Sequence, residues 1–242
     1  GSGRRPVTRG FGTTTTPGGA SGGAHDLTQA FKDEFRLLTQ LHHANLAEVY
    51  DFGRCDELDG VYFTQELVEG PYLTEFFENA PREAIVDVLV QITRALDYIH
   101  ALGMVHEDIK PSNVLVTQVG GRPQAKLIDF GLARALRSAP ESPDAEGGTL
   151  TLLGTPGFSA PEKVRGKKTD HRSDLYSLAA TIYAAVRGQR AFPGKSFQEA
   201  LGHQLDWRPE LAGVLLQRTG PVVAELIGRM LHPDAEHRPQ SA

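Results

Sequence analysis

Asp108, Lys110 and Asn113 stand at fixed offsets in the run His106-Glu107-Asp108-Ile109-Lys110-Pro111-Ser112-Asn113. Sixteen residues past Asn113 comes the triplet Asp129-Phe130-Gly131. A carboxylate such as Asp108 can accept the proton of an attacking hydroxyl. The Lys110 ammonium can neutralise charge on a transferring phosphoryl group. The Asn113 amide oxygen and the Asp129 carboxylate are hard oxygen donors of the kind that suits Mg2+. Taken singly, Asp108 reads as an exposed loop residue. A base, a cation and two metal donors at these offsets read together as the equipment of phosphoryl transfer.

Such groups need rigid elements on either side. A long helix is expected from about Pro81, with apolar positions at Ile85, Val88, Leu89, Ile92, Leu96 and Ile99 and a stop at Gly103. It delivers the chain into the His106–Asn113 loop. Val114–Val116 and Lys126–Ile128 flank Gly120-Gly121, which predicts a short hairpin. That hairpin places Asn113 before one strand and Asp129 after the other. Upstream, Asp26 is a suitable N-cap for a helix carrying Leu27, Phe31, Phe35, Leu38 and Leu41. Strands are expected at Ala47–Phe52 and Val61–Leu67, joined by the polar turn Asp56–Gly60. Downstream, residues 137–149 read as a loop. Helices are expected at Ser173–Arg187, stopped by Gly188, and at Pro221–His232, stopped by Pro233. Early strands and late helices make this an α+β chain with segregated lobes.

The bulk properties narrow the alternatives. At 242 residues the chain is one large domain or two small lobes sharing a core. A net charge of −5 offers no case for nucleic acid or an anionic membrane surface as a partner. The lone Cys55 excludes an internal disulfide framework and fits a reducing, cytoplasmic setting. No apolar run reaches membrane-spanning length, and no signal peptide is visible. Residues 1–25 are rich in Thr, Gly and Ser and nearly devoid of large apolar side chains, so they read as a flexible arm or linker. Gly10-Phe11-Gly12 within it is only a weak match to a phosphate-binding loop, because no strand pattern flanks it.

Three motifs taken together carry a resemblance: His-x-Asp-x-x-x-x-Asn at 106–113, Asp-Phe-Gly at 129–131 and Ala-Pro-Glu at 160–162. The chain resembles the eukaryotic-like (Hanks-type) Ser/Thr protein kinases from about Phe31 to Ser241. The resemblance implies a bilobal fold, with a partial N-lobe at 26–68 and a mainly helical C-lobe at 69–242. It implies ATP and Mg2+ as cofactors and a protein with a Ser or Thr acceptor as substrate. Asp108 becomes the catalytic base and Lys110 the γ-phosphate contact, while Asn113 and Asp129 become the Mg2+ ligands. Glu34, nine residues before His43, matches the helix glutamate that pairs with a strand lysine around the nucleotide. Gln65-Glu66-Leu67-Val68 matches the gatekeeper and hinge, with backbone groups near Glu66 and Val68 taking adenine and Leu115 lying beneath it. Leu38, Val49, His106 and Phe130 match a stacked spine. Asp174 matches an anchor for the catalytic-loop backbone, and Glu162 with Arg238 a buried ion pair. Gly154-Thr155-Pro156-Gly157-Phe158 matches the element that docks the residue beside the acceptor. Thr155 together with Lys110 implies Ser/Thr rather than Tyr.

Two departures from the family stand out. Glu107 occupies the place where regulated kinases carry an Arg that pairs with a phosphate on the activation segment; a carboxylate repels that phosphate. Thr149 and Thr151 match phosphosites by position. In addition, residues 1–30 supply no Gly-rich loop and no Val-Ala-x-Lys strand. Lys32 lies two residues before Glu34 on the same helix and cannot face it. The N-lobe is therefore expected to be clipped and completed by a further segment or a partner. The C-terminus, at the start of the family's last helix, also reads as clipped. Two functions follow, a working Ser/Thr kinase or a pseudokinase acting as a regulatory or binding module.

Overall fold

The computed structural model describes residues 7–10, 36–55, 60–129, 155 and 157–242. In order, the elements are β1 (Val7–Gly10), β2 (Val49–Cys55), β3 (Gly60–Gln65), α1 (Leu73–Asn79), α2 (Arg82–Ala101), β4 (Val114–Val119), β5 (Arg122–Leu127), α3 (Pro161–Val164), α4 (His171–Arg187), α5 (Phe197–Leu205), α6 (Leu216–Thr219) and α7 (Pro221–Met230). Short 3-10 turns sit at Pro111–Asn113, Pro209–Leu215 and Ala235–His237. A sheet thus comes first, two helices and a β hairpin follow, and helices close the chain, with strands and helices segregated as in an α+β chain.

An antiparallel three-stranded sheet has the order β1-β3-β2. Strand β1 falls within residues 1–25, the stretch that the sequence suggests is a flexible arm or linker. Val7 and Thr8 are β-branched, which favours extended backbone. They pair with Gln65 and Thr64 along a β3 edge that otherwise has no partner among the described strands. Strand β2 begins two residues later than the apolar pattern predicts and runs three residues further, to Cys55. The helix expected to start at Asp26 is helical at 36–38, and its earlier part, with Glu34, lies outside the described residues. Leu38 and Leu41 from its apolar stripe are buried.

Helix α2 follows the sequence expectation closely. Pro81 is its N-cap, and Ile85, Val88, Ile92, Leu96 and Ile99 form one buried stripe. Hairpin β4-β5 turns through Gly120 and Gly121 with φ of 59° and 78°, a pair of left-handed residues that the two-residue turn demands. The core is continuous from Leu38 and Phe63 through α1, α2 and the hairpin to α4, Trp207 and Leu231. Helix α4 is buried along most of its length, including Ser173, Asp174, Ser177 and Thr181. Ser173 donates to Glu162 Oε1 at 2.7 Å and Ser177 to the Ser173 carbonyl at 3.0 Å, while Asp174 accepts from the loop after α2. Asp170 caps it, accepting from the Arg172 N–H at 2.8 Å, and Gly188 ends it.

Helices α1 and α5 are not apparent from apolar periodicity alone. A signal for α5 is nevertheless present. Ser196 accepts from the Glu199 N–H at 3.2 Å, while Glu199 accepts from the Lys195 N–H at 2.8 Å. This is a variant of the Ser-x-x-Glu capping box written in Ser196-Phe197-Gln198-Glu199.

Candidate active site

The loop after α2 is held from below by one carboxylate. Asp174, fully buried on α4, accepts the His106 N–H through Oδ2 at 2.7 Å and the Glu107 N–H through Oδ1 at 2.9 Å. His100 on α2 bonds the same Oδ2 through Nε2 at 2.9 Å. The loop that carries Asp108 is thereby tied to two helices. Burial pushes the His106 imidazole below its ordinary value, against the opposing pull of the Asp174 and Asp108 carboxylates. A neutral ring is then free to accept, and His106 Nδ1 takes the Asp108 N–H at 3.2 Å.

Above that anchor, Asp108, Lys110 and Asn113 converge. Lys110 Nζ is 2.7 Å from Asp108 Oδ2. Asn113 Nδ2 donates to the same Oδ2 at 3.1 Å and to the Asp108 carbonyl at 2.8 Å. The 3-10 turn Pro111–Asn113 sets this geometry: the rigid Pro111 starts it and Asn113 leads directly into β4. Asp108 and Lys110 keep about a quarter of their side-chain surface exposed, 24% and 25%, so a substrate can reach them.

Asp129 stands just past β5. Its Oδ1 accepts from Gln65 Nε2 at 3.3 Å, which brings the end of β3 to the site. Among the described residues, Glu107 at 69° and Asp129 at 58° are the non-glycine residues with positive φ. Both adjoin the chemistry. Left-handed backbone costs an L-residue about 1–2 kcal/mol and persists only where surroundings impose it. Residue type and spacing give no sign of this.

Asn113 and Asp129 also pass a fit test for a divalent cation. No group of three or more His, Cys, Asp and Glu among the described residues could hold a metal unaided. Mg2+ is commonly held by one or two protein oxygens, with waters and substrate phosphates filling the rest of its octahedron. The Asn113 side chain spends its N–H2 on Asp108, so its oxygen is the end suited to a cation.

The segment matched to the hinge is stapled from behind. Glu66 Oε2 is 2.8 Å from Lys126 Nζ, and Lys126 also donates to the Leu46 carbonyl at 3.1 Å. Both side chains are buried. The Glu66 N–H is committed to the Glu48 carbonyl at 2.8 Å. Leu115 lies nearby, bridged to Tyr72. Asn45 adds a link that the sequence reading missed. Its Nδ2 donates to the Ala125 carbonyl at 2.8 Å and to Gln91 Oε1 at 2.9 Å, joining the upstream segment, the hairpin and α2. Of the spine residues, Leu38 and His106 are buried and Val49 packs on the core, while Phe130 lies outside the described residues.

On the far side, Arg238 grips Glu162 with two parallel bonds of 2.7 and 2.9 Å. Phe158 and Ser159 turn back on Thr155, their N–H groups reaching its carbonyl at 3.2 and 3.4 Å. Gly157 has φ of 85°, and a Cβ there would stand 2.5 Å from the Phe192 carbonyl oxygen. Gly157→Ala is therefore expected to cost about 2–4 kcal/mol, from left-handed backbone plus overpacking. Urea unfolding of the two proteins measures it, and a loss under about 1 kcal/mol would contradict the expectation.

Three comparisons bear on this geometry. A family profile described as protein kinase domain matches residues 21–242. Serine/threonine-protein kinase pkn2 of Myxococcus xanthus is 32% identical over 224 residues, covering 89% of this chain and 26% of the relative. Serine/threonine-protein kinase PknA of Mycobacterium tuberculosis is 36% identical over 176 residues, covering 70% of this chain and 39% of the relative. The chain thus spans only 26% to 39% of the length of these two relatives. Among solved structures, a double mutant of the PknI kinase domain of Mycobacterium tuberculosis superposes with a TM-score of 0.62 at 22% identity. That match covers 89% of this chain and 75% of the other, a likeness of fold.

Proposed function

The chain belongs to the protein kinase domain family, its kin being bacterial Hanks-type Ser/Thr kinases, and on that footing we propose that it transfers the γ-phosphoryl group of ATP to a Ser or Thr hydroxyl of a protein. One observation carries the reading. Lys110 Nζ and Asn113 Nδ2 meet on a single oxygen of Asp108, at 2.7 and 3.1 Å. That leaves the second carboxylate oxygen to accept the proton of the attacking hydroxyl. Lys110 stabilises the charge that develops on the transferring group. Asn113 and Asp129 would hold Mg2+, which when bound neutralises the phosphate oxygens and keeps attacking and leaving groups in line. Asn113, fastened to Asp108, would keep the base and the cation in register.

Adenine would lie over Leu115 against the backbone of Glu66 and Val68. We assign Glu34 to the lysine-pairing role in the upper lobe, with residues 26–68 forming that lobe, β1 added to its sheet, and 69–242 forming the lower one. The lone Cys55 supports a cytoplasmic reaction. No helix among the described residues is long and apolar enough to cross a membrane.

The test is incubation with γ-labelled ATP, Mg2+ and a mixed protein substrate. Label is expected in phosphoserine and phosphothreonine, and is lost when the metal is chelated. A protein that binds nucleotide yet transfers no label overturns the reading and leaves the fold as a regulatory module.

A further inference from the structure

Glu107 directly precedes Asp108; its N–H, carbonyl and Oε1 are hydrogen-bonded, and its Oε2 faces the Lys163 ammonium. Its N–H goes to Asp174 Oδ1 at 2.9 Å. Its carbonyl accepts from Lys163 Nζ. Its Oε2 lies 3.8 Å from the same Nζ, and its Oε1 accepts from Thr169 Oγ1 at 3.3 Å. The Glu107 and Lys163 side chains are only 9% and 6% exposed. Lys163 sits on α3, next to Glu162 and its Arg238 partner. One short helix therefore ties the substrate-docking side of the molecule to the catalytic loop.

The backbone at Glu107 is constrained as well. With φ of 69° it is left-handed, a conformation that its surroundings must impose on a Glu. Asp174 pulls on its N–H from below, and Lys163 pulls on its carbonyl from the side. These two contacts fix the peptides that aim Asp108. The charges also meet within the fold. A buried ammonium needs an anion beside it, and Glu107 supplies that anion from within the loop itself. A phosphate delivered to this spot would meet a carboxylate.

We propose that Lys163 is a positioning residue for the catalytic base, and that its buried pair with Glu107 holds Asp108 in place without any phosphate at Thr149 or Thr151. This rests on the kinase reading above. Thr149 and Thr151 lie outside the described residues.

The experiment compares phosphoryl transfer by the wild-type chain with that of its variants. Phosphatase-treated wild type and the Thr149→Ala plus Thr151→Ala variant are expected to stay within about threefold of untreated wild type. Lys163→Met is expected to lower kcat about thirtyfold while KM for ATP moves less than about threefold, since positioning is lost and nucleotide binding is not. Lys163→Arg is expected to restore most of kcat, a rescue that loss of bulk packing would not track. Rates are taken per folded protein from parallel thermal melts. If Lys163→Met does not fold, Glu107→Gln with Lys163→Met removes both buried charges, and the same fall in kcat is expected. A folded variant with unchanged kcat overturns the inference, as does a loss of about a hundredfold on dephosphorylation. An untreated wild type as silent as Asp108→Asn overturns the kinase reading instead, and this inference with it.

Discussion

Replacing Asp108 with Asn is expected to slow phosphoryl transfer about a thousandfold, the usual worth of a positioned general base. The substitution keeps shape and removes the basic oxygen. In the native site, Asp108 Oδ2 receives Lys110 Nζ at 2.7 Å and Asn113 Nδ2 at 3.1 Å. An Asn side chain can still accept one of those bonds, and the Asn113 bond to the Asp108 carbonyl is untouched. The loop below is pinned through the backbone by Asp174 rather than through the Asp108 side chain. The fold should therefore survive, and the loss should appear in kcat. Nucleotide affinity should change only a few-fold, because the groups assigned to adenine and the cation lie on β4, just past β5, on the hinge segment and at Asn113. Parallel measurement of kcat, of nucleotide affinity and of the thermal midpoint separates the outcomes. A variant within tenfold of wild type would mean that another group takes the proton, and the role given to Asp108 would fall.

How this site could be read from sequence depends on which of its properties are local. Asp108, Lys110, Asn113 and Asp129 announce themselves because phosphoryl transfer demands particular residue types, and the fold sets their spacing. The α2 stripe and the Gly120-Gly121 turn were equally plain, since apolar period and left-handed glycines are written residue by residue. The pairs Lys163–Glu107 and Lys126–Glu66 were not. Each joins residues about sixty positions apart, and a surface lysine and a buried lysine look the same in a sequence. Asn45 was missed for the same reason, as nothing local says that its amide will be spent on Gln91 and Ala125. The left-handed backbone at Glu107 was hidden because Glu is a residue type that avoids it. Strand β1 was overlooked because four residues in a Gly-rich stretch carry little pattern, and pairing along an available edge outweighed composition. In each instance a tertiary partner overrode or supplied what local propensity could not.

Replacing Arg238 with Met is expected to destabilise the fold by about 3–5 kcal/mol at neutral pH, the range for breaking a buried ion pair on one side. The Arg238 side chain is 0% exposed. Besides its two bonds to Glu162 it donates to the His232 carbonyl at 2.8 Å, the Arg172 carbonyl at 3.1 Å and the Pro233 carbonyl at 3.2 Å, and it stacks 4.8 Å from the Tyr176 ring. Methionine fills part of the volume but satisfies none of these acceptors. Domains of this size are stable by roughly 5–15 kcal/mol, so the loss takes a large share of the margin. The pH dependence supplies an internal check. Burial works to raise the Glu162 carboxyl, but the Arg238 guanidinium and the Ser173 hydroxyl outweigh it and hold the group below its ordinary value of 4.5. A carboxyl depressed on folding adds stability that is present above 4.5 and is lost as pH falls through its folded value. With Met at 238, burial is left as the dominant influence and the carboxyl should rise. The variant should then lose its handicap on mild acidification, as the uncompensated charge takes up a proton. Urea melts of both proteins at pH 7 and near pH 4 should show the gap narrowing in acid. A gap that stays the same at both pH values would place the cost in packing against Tyr176 rather than in the charge at Glu162.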